Sequence, residues 1–229
     1  MKCIAIIPAR SGSKGLKDKN IRELNGKPLL GYSVEAALDS KMFDTVMVST
    51  DSEHYAEVAR QCGAEVPFLR SEYTSSDSAS SWEAVKEVVA NYKNLGKEFD
   101  VIVLLQPTSP LRTSTDIAGA YELFLKKNAK AVISVCEVDH SPLWCNTLKE
   151  DLSMVNFAKT SRPNGNRQML DTYYRLNGAI YMLKTSVLEN IERLYADDCF
   201  AYIMSRKSSI DIDNIDDFKY ADFLIKGSL

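Results

Sequence analysis

The sequence predicts an α/β fold, in which an open, mostly parallel β-sheet carries helices on both faces. Two observations support this prediction. Continuous apolar runs of strand length alternate along the chain with segments whose apolar residues recur at helical spacing. Runs that are apolar at every position suit strands buried on both faces, as in a parallel sheet. Alternation in this order gives βαβ units with right-handed crossovers.

Each predicted strand is a short run rich in β-branched residues. The runs are CIAIIP (3–8), TVMVST (45–50), VIVLLQ (101–106), AVISVC (131–136) and a later run, GAIYML (178–183). Ligands of open parallel sheets bind beyond the carboxyl ends of the strands. The loops after the strands are therefore candidate sites, at residues 9–20, 50–53 and 106–113 and after residue 183.

Helical spacing separates these runs. A helix is predicted from Ser80 onward, because Ser80 and Glu83 have the spacing of an N-terminal capping box. Residues 137–175 break the alternation with prolines and aromatic residues. We interpret them as an insertion within one domain that spans residues 1–229.

Composition excludes several function classes. The chain has 229 residues, of which 45% are hydrophobic, enough for one sizeable core. Its 28 basic and 31 acidic residues give a net charge of −3, which argues against general nucleic-acid binding. The sequence contains no apolar run long enough to span a membrane. Five scattered cysteines without a CxxC pair favour a reducing compartment, and we expect a cytoplasmic protein without a nucleic-acid or membrane partner.

The loop after the first strand has the composition of a phosphate-binding site. Gly12 and Gly15 allow the backbone to approach a ligand, and backbone N–H groups there can form an anion-binding nest. Arg10, Lys14 and Lys19 add positive charge. The spacing matches neither GxxxxGK[ST] nor GxGxxG, which weakens a P-loop or dinucleotide-dehydrogenase interpretation. A solvated, charged turn is the alternative.

A pair of carboxylates near the end of the chain is a candidate metal site. In SIDIDNIDD, Asp211 and Asp213 are two residues apart, so on an extended segment both side chains can face one ion. Mg²⁺ commonly takes one or two carboxylates together with substrate phosphate. The alternative is that Asp213 or Asn214 caps a helix over 215–226, with the following acidic residues in its first turn.

Four motifs in this order resemble those of the CMP-sialic acid synthetases, the acylneuraminate cytidylyltransferases of the sugar nucleotidyltransferase superfamily. They are IPARSGSKGLKDKNI, LLQPTSPLR, LNGAIY and IDIDNIDD, and the similarity runs from residue 3 to about residue 225. The resemblance implies a Rossmann-like nucleotidyltransferase domain that uses CTP, Mg²⁺ (or Mn²⁺) and a free nine-carbon keto-sugar acid. The products would be pyrophosphate and a CMP-sugar.

The resemblance, together with the composition of the loops, gives candidate nucleotide-binding residues: Arg10, Ser13, Lys14, Lys19, Asn20, Arg70, Ser80 and Ser81. It implies that Arg10 and Lys14 neutralise the β- and γ-phosphates and the departing pyrophosphate. With Asp211 they form the candidate catalytic set, and Asp211 and Asp213 are the candidate metal ligands. For Ser80, a role only as helix cap is the alternative.

The same resemblance gives candidate sugar-binding residues: Gln106, Arg167, Arg175, Asn177 and Tyr181. Gln106 offers a donor and an acceptor to a sugar hydroxyl or amide. An arginine fork is the expected partner of a sugar carboxylate. Arg112 is interpreted as an ordinary surface residue, with anion binding as the alternative.

Residues 137–175 are interpreted as a dimerisation arm. In a lone domain the arm would leave a set of apolar side chains poorly covered: Leu143, Trp144, Met154, Phe157, Tyr173 and Tyr174. In the family that the chain resembles, the position of Arg167 reaches across a dimer interface. We therefore expect a homodimer with shared active sites.

The sequence thus predicts a cytidylyltransferase for a nonulosonic acid, with N-acetylneuraminic acid as the leading candidate. Legionaminic, pseudaminic or a deoxy-octulosonic acid are alternative substrates. A catalytically silent nucleotide-binding module on the same fold is the alternative from another class. The presence of Arg10, Lys14 and both aspartates argues against a silent module.

Overall fold

The computed structural model describes residues 1–13, 15–157 and 171–227. Within these ranges the strands are β1 (Cys3–Pro8), β2 (Glu23–Leu24), β3 (Lys27–Pro28), β4 (Thr45–Ser49), β5 (Val101–Leu104), β6 (Ala131–Glu137), β7 (Tyr174–Lys184) and β8 (Cys199–Ile203). The α-helices are α1 (Leu29–Ser40), α2 (Glu53–Gln61), α3 (Glu72–Ser75), α4 (Ser81–Asn94), α5 (Ser114–Lys126) and α6 (Ile215–Lys226).

Six strands form one mixed sheet in the order β4-β1-β5-β7-β6-β8. β1 pairs in parallel with β4 and β5, and β6 pairs in parallel with β8. β7 runs antiparallel to both of its neighbours, β5 and β6. The predicted α/β class with a mostly parallel sheet is confirmed. The GAIYML run belongs to a longer strand whose direction its apolar pattern did not indicate.

Alternate residues of β1 belong to two different cores, which explains its continuous apolar run. Ala5 and Ile7 pack in a cluster with apolar residues of α1, α2 and α5. Ile4 and Ile6 pack in a second cluster with apolar residues of α4. All four side chains are fully buried, so helices cover both faces of the sheet.

α4 begins where the capping box predicted. Ser80 is its N-cap, and its Oγ accepts a hydrogen bond from the Glu83 N–H at 3.2 Å. The Glu83 carboxylate in return accepts from the Ser80 N–H at 2.6 Å. The two bonds fix the first turn of the helix beside the candidate site.

The predicted arm is described at its two ends. Met154 and Tyr174 are exposed, as expected, whereas Leu143, Trp144, Phe157 and Tyr173 are half-buried. Arg167 lies outside the described residues. Among the helices of the described ranges, none has the length and apolarity needed to cross a membrane.

Candidate active site

A cavity of about 590 Å³ opens beyond the carboxyl ends of β1 and β5. This is the position expected for a ligand site in an open α/β sheet. Its walls come from four separate stretches of sequence. They are Pro8, Arg10, Ser13, Gly15, Lys19 and Asn20; Arg70, Thr74, Ser76, Ala79, Ser80 and Ser81; Gln106, Pro107 and Thr108; and Asp211 and Asp213.

The cavity brings together most of the residues that the sequence predicted. Ten candidates line it: Arg10, Ser13, Lys19, Asn20, Arg70, Ser80, Ser81, Gln106, Asp211 and Asp213. Three candidates on β7 are not among the lining residues: Arg175, Asn177 and Tyr181. Lys14 and Arg167 lie outside the described residues.

The loop after β1 is anchored by two side chains. Asp51, just after β4, accepts from the Ser11 N–H at 2.8 Å and from the Ser11 hydroxyl at 3.0 Å. The buried amide of Asn20 donates to the Arg10 carbonyl at 3.1 Å. These bonds hold the backbone of Arg10 and Ser11, just before Ser13, which lines the cavity.

Lys19 joins this loop to the segment that carries the aspartates. Its Nζ donates to the Ile212 carbonyl at 2.6 Å and lies 3.7 Å from Asp213 Oδ1. Gly15 is at a close approach to the same segment, since a Cβ added there would lie 2.5 Å from the Asp213 carbonyl oxygen. The positive loop and the carboxylates therefore form one packed unit.

This close approach gives a first prediction. Gly15→Ala should lower kcat/KM for CTP, the nucleotide that the resemblance implies, by about tenfold or more, because the new methyl group pushes the loop away from the aspartates, at a cost of roughly 1–3 kcal/mol. Gly12→Ala is the matched control, because nothing lies within 4 Å of a Cβ at that position. Steady-state kinetics of the two variants test this prediction. An equal loss of kcat/KM in both would contradict the packing argument.

Residues 71–80 form a wall of the cavity that α4 holds in place. Glu87 accepts from the Ser71 N–H at 2.8 Å and from the Ser71 hydroxyl at 3.0 Å, and it also bonds the Thr74 hydroxyl. From the loop after β1, Arg10 Nη1 lies 2.9 Å from Asp77 Oδ1 and donates to the Ser75 carbonyl at 3.3 Å.

Arg70 lies at the base of this wall. Its Nε donates to the Ser49 hydroxyl at 3.1 Å, and its Nη2 donates to the Ser49 carbonyl at 3.4 Å. Burial lowers the pKa of the Arg70 guanidinium, although the Asp51 carboxylate opposes that shift. Arg70 thus places a half-buried positive charge in the cavity wall.

Asp211 and Asp213 lie outside the helices and strands, on the segment that immediately precedes α6. The N-cap of α6 is Asn214, whose Oδ1 accepts from the backbone N–H groups of Asp216 and Asp217 at 2.8 and 3.1 Å. Asp213 is therefore not the cap and remains available at the cavity. The predicted first-turn acidic residues of α6 are confirmed.

One oxygen of the Asp211 carboxylate lacks a hydrogen-bond partner. This oxygen, Oδ1, is buried. Burial raises the pKa of Asp211, although a hydrogen bond with the Thr108 side chain opposes the shift. An anionic oxygen in that position is suited to a cation.

These features fit a divalent metal. Within the described residues, no cluster of three or more His, Cys, Asp or Glu side chains could hold an ion. Mg²⁺ commonly takes only one or two carboxylates beside substrate phosphate. The carboxylates of Asp211, with its unpartnered Oδ1, and of Asp213 could provide them.

The three candidates on β7 have partners inside the protein. Asn177 is 1% exposed, and its amide bonds other buried groups. Arg175 is exposed and donates to the carbonyls of Ser209 and Leu176, both at 3.3 Å. Tyr181 packs edge-to-face against Trp82, with ring centroids 5.7 Å apart.

Arg112 corrects one prediction. It is 2% exposed rather than a surface residue. Its Nη1 donates to the carbonyls of Gln106 and Ala179 at 3.2 and 3.0 Å, and its Nη2 bonds the Ser33 hydroxyl. Burial lowers its pKa to about 10. Arg112 therefore stabilises, from inside the protein, the loop that carries Gln106.

Some residues of the site had no role assigned from the sequence. They are Asp51, which anchors the first loop; Thr108, which bonds Asp211; and Thr74 with Glu87 in the cavity wall. Asp51 and Thr108 follow the ends of strands, so their position in the strand-end loops was the available signal. Thr74 and Glu87 carried no comparable signal.

Comparison with known proteins identifies the family. The family model described as "Cytidylyltransferase" matches residues 4–162. An N-acylneuraminate cytidylyltransferase of Escherichia coli O18:K1:H7 is 40% identical over 221 residues, which make up 96% of this chain but 51% of that relative. The chain thus spans about half the length of this curated relative.

A shorter relative is matched over almost its whole length. The CMP-N,N'-diacetyllegionaminic acid synthase of Legionella pneumophila is 36% identical over 233 residues, with 99% of this chain and 97% of that protein covered. Among solved structures, a CMP:2-keto-3-deoxy-manno-octonic acid synthetase complexed with CTP shares the fold, with a TM-score of 0.76, 17% identity and full coverage of both chains. By its sequence, this chain belongs to the cytidylyltransferase family.

Proposed function

We propose that the chain transfers CMP from CTP to the anomeric hydroxyl of an acidic nine-carbon sugar and releases pyrophosphate. The observation that carries this proposal is the buried, unpartnered oxygen of Asp211 in a cavity that also contains Asp213, Arg10 and Lys19. Negative groups for a cation and positive groups for a triphosphate thus meet in one place. A catalytically silent module has no need of such an oxygen, because burying an unpaired carboxylate is unfavourable.

The positive loop would bind the triphosphate. Arg10 and Lys14 contact the β- and γ-phosphates and stabilise the charge that grows on the departing pyrophosphate. An oxygen–phosphorus bond forms between the sugar and the α-phosphate as the bond between the α- and β-phosphates breaks. Lys19 keeps this loop against the aspartate segment.

Asp211 and Asp213 would hold Mg²⁺ (or Mn²⁺). When bound, such an ion neutralises phosphate charge and lowers the pKa of a hydroxyl that it orients. The proton of the sugar hydroxyl leaves to a carboxylate of the cavity or to water.

Arg70, Ser80 and Ser81 would contact the cytidine. Ser80 Oγ accepts a hydrogen bond in its capping box, which leaves its O–H available to donate. Ser80 can therefore act as the helix cap and as a nucleotide contact together.

The sugar acid would bind near Gln106 and Arg175. N-acetylneuraminic acid is the leading candidate, in keeping with the name of the Escherichia coli relative. A diacetylated legionaminic acid is a second candidate, because the Legionella pneumophila relative matches over nearly its whole length. The five cysteines are free thiols, which favours a cytoplasmic location.

A substrate panel tests this function. Pyrophosphate release is measured with CTP and, separately, with each of four acids: N-acetylneuraminic, legionaminic, pseudaminic and deoxy-octulosonic acid. UTP replaces CTP in a parallel series. We expect release with CTP and a nonulosonic acid, and little with UTP. Release only with UTP, or only with the eight-carbon acid, would contradict the proposal.

We also propose a homodimer in which each arm completes the partner's site. Large apolar side chains at the described ends of the arm support an interface, since Leu152, Met154 and Val155 are 60–70% exposed. Arg167 would reach the sugar acid bound to the other subunit.

Subunit mixing gives a second prediction. Equal amounts of the Arg167→Ala and Asp211→Ala proteins, each of which we expect to be less active than the wild type, are unfolded together, refolded and assayed. If Arg167 serves the neighbour, one site in each mixed dimer is intact, and about a quarter of wild-type activity returns. If Arg167 serves its own subunit, every site keeps a defect and no activity returns. A monomer in light scattering at the assay concentration would also contradict the proposal.

A further inference from the structure

An irregular bulge in β7 lies next to Gln106, which lines the cavity, since a Cβ added at Gly178 would lie 2.5 Å from Gln106 Oε1. Ile133 of β6 pairs with Tyr181, and Val135 pairs with Leu176, so residues 177–180 stand opposite the single residue Ser134. Bulges next to active sites commonly redirect a side chain or end the pairing. Here the bulge turns Asn177 into the protein, where it is 1% exposed.

The amide of Asn177 uses all of its hydrogen-bonding positions inside the protein. Its Oδ1 accepts from the Ser134 hydroxyl at 2.6 Å and from the Ala179 N–H at 3.2 Å. Its Nδ2 donates to the Ser209 hydroxyl at 2.8 Å and points to the Met204 sulfur at 3.4 Å. Two donors and two acceptor sites are the full capacity of an amide. A sugar acid could bond this group only after an internal bond broke.

Ser209, which accepts the hydrogen bond from Asn177, lies close in sequence to the two aspartates. Ser209 is fully buried, and its hydroxyl donates to the Ser205 carbonyl at 2.7 Å. Ser209 is the last residue of a short 3-10 helix, Lys207–Ser209, and stands two residues before Asp211. The segment that follows is held again by the Ile212 N–H, which donates to the Thr108 carbonyl at 2.9 Å. Asn177 therefore fixes one end of the stretch that carries both carboxylates.

We propose that Asn177 is a positioning residue, which acts through Ser209 to hold Asp211 and Asp213 in place and does not bind the sugar acid. This inference rests on the proposed function for the role of the two aspartates. It replaces the substrate-binding role that the sequence predicted for Asn177. Groups that hold metal-binding residues in place commonly affect the metal affinity of a site as well as its activity.

The test is a double-mutant cycle with Asn177→Ala, Ser209→Ala and the double variant. Ser208→Ala is the matched control, because its hydroxyl bonds Ser205 and not Asn177. Two quantities are measured for each protein. One is the affinity for Mn²⁺ in the presence of CTP and without sugar, from the signal of free Mn²⁺ in electron paramagnetic resonance. The other is kcat and KM for the sugar acid.

We expect Asn177→Ala and Ser209→Ala each to weaken Mn²⁺ binding by about tenfold and to lower kcat, with the KM for the sugar within about twofold of wild type. The double variant should be no worse than Asn177→Ala, since both changes break one connection. Ser208→Ala should behave as wild type. If Asn177→Ala does not fold, Ser209→Ala alone must show the weaker Mn²⁺ binding.

Three results would overturn the inference. They are a raised sugar KM with unchanged Mn²⁺ affinity in Asn177→Ala, an additive double variant, and a wild-type protein that binds no Mn²⁺ with CTP. The proposed function fails separately, if the wild type binds Mn²⁺ and CTP but forms no CMP-sugar. The Mn²⁺ measurement would still test the positioning role in that case.

Discussion

Asp211→Asn is expected to lower the turnover of CMP transfer by about 10³-fold, equivalent to about 4 kcal/mol of transition-state stabilisation. The same change should raise the melting temperature of the metal-free protein. Asparagine keeps the shape of the side chain but removes the charge of the buried oxygen that lacks a partner. The protein would thus gain stability by losing a group that the proposed reaction needs.

The expected rise in melting temperature follows from the pKa of Asp211, which burial raises above its ordinary value of 3.8. Because the folded state disfavours the ionised form, the destabilisation is absent below pH 3.8 and fully present above the raised folded-state pKa. Above that raised pKa the metal-free protein carries the whole penalty, and Asp211→Asn relieves it.

Turnover assays and calorimetry without metal check both parts of this prediction. Asp216→Asn is the control, because Asp216 is an exposed acidic residue in the first turn of α6 and does not line the cavity. Its activity should stay near that of wild type. Near-normal turnover of Asp211→Asn with Mg²⁺, or a lower melting temperature, would refute the assignment of Asp211.

Arg10→Ala is expected to lower kcat/KM for CTP by about 10²-fold, because its proposed target is the triphosphate and the leaving pyrophosphate. Arg10→Lys should also be harmful, since a compact ammonium cannot replace a planar fork of donors. Stability should change little, because the pair with Asp77 is partly exposed and such pairs contribute roughly 0–1 kcal/mol.

The control for Arg10 is Asp77→Asn, which removes the carboxylate of the pair and leaves the cation. Its use of CTP should equal or exceed that of the wild type, because the triphosphate no longer competes with Asp77 for the guanidinium. Kinetics with each substrate varied in turn provide the measurement. An effect of Arg10→Ala on the sugar KM alone would show that Arg10 does not bind the triphosphate.

The sequence predicted the central strands well for a physical reason. β1, β4, β5 and β6 are buried on both faces, so their runs are apolar throughout and their ends are marked by polar residues. The direction of β7 could not be predicted in this way. An apolar pattern indicates that a strand is buried. It does not indicate the direction of the strand in the sheet, which for β7 depends on the path of the chain through residues 137–175.

The outline of the site was also predictable, because loops after neighbouring parallel strands must meet at one edge of the sheet. The hydrogen bonds that hold the site from inside the protein could not be predicted from the sequence. Arg112 was assigned to the surface on the basis of its charge, but oxygen acceptors make its burial possible, one in its own loop and two in distant segments. Asn177 is similar, since its partners Ser134 and Ser209 lie 43 and 32 residues away along the chain.

The central claim is that this chain cleaves CTP between its α- and β-phosphates and attaches CMP to an acidic sugar. CTP radiolabelled at either the α- or the γ-phosphate tests it most directly, in the presence of Mg²⁺ and N-acetylneuraminic or legionaminic acid. We predict that the α-label moves to a sugar nucleotide and that the γ-label appears only in pyrophosphate. Transfer of the γ-label to the sugar, or binding of CTP without transfer of either label, would contradict the account.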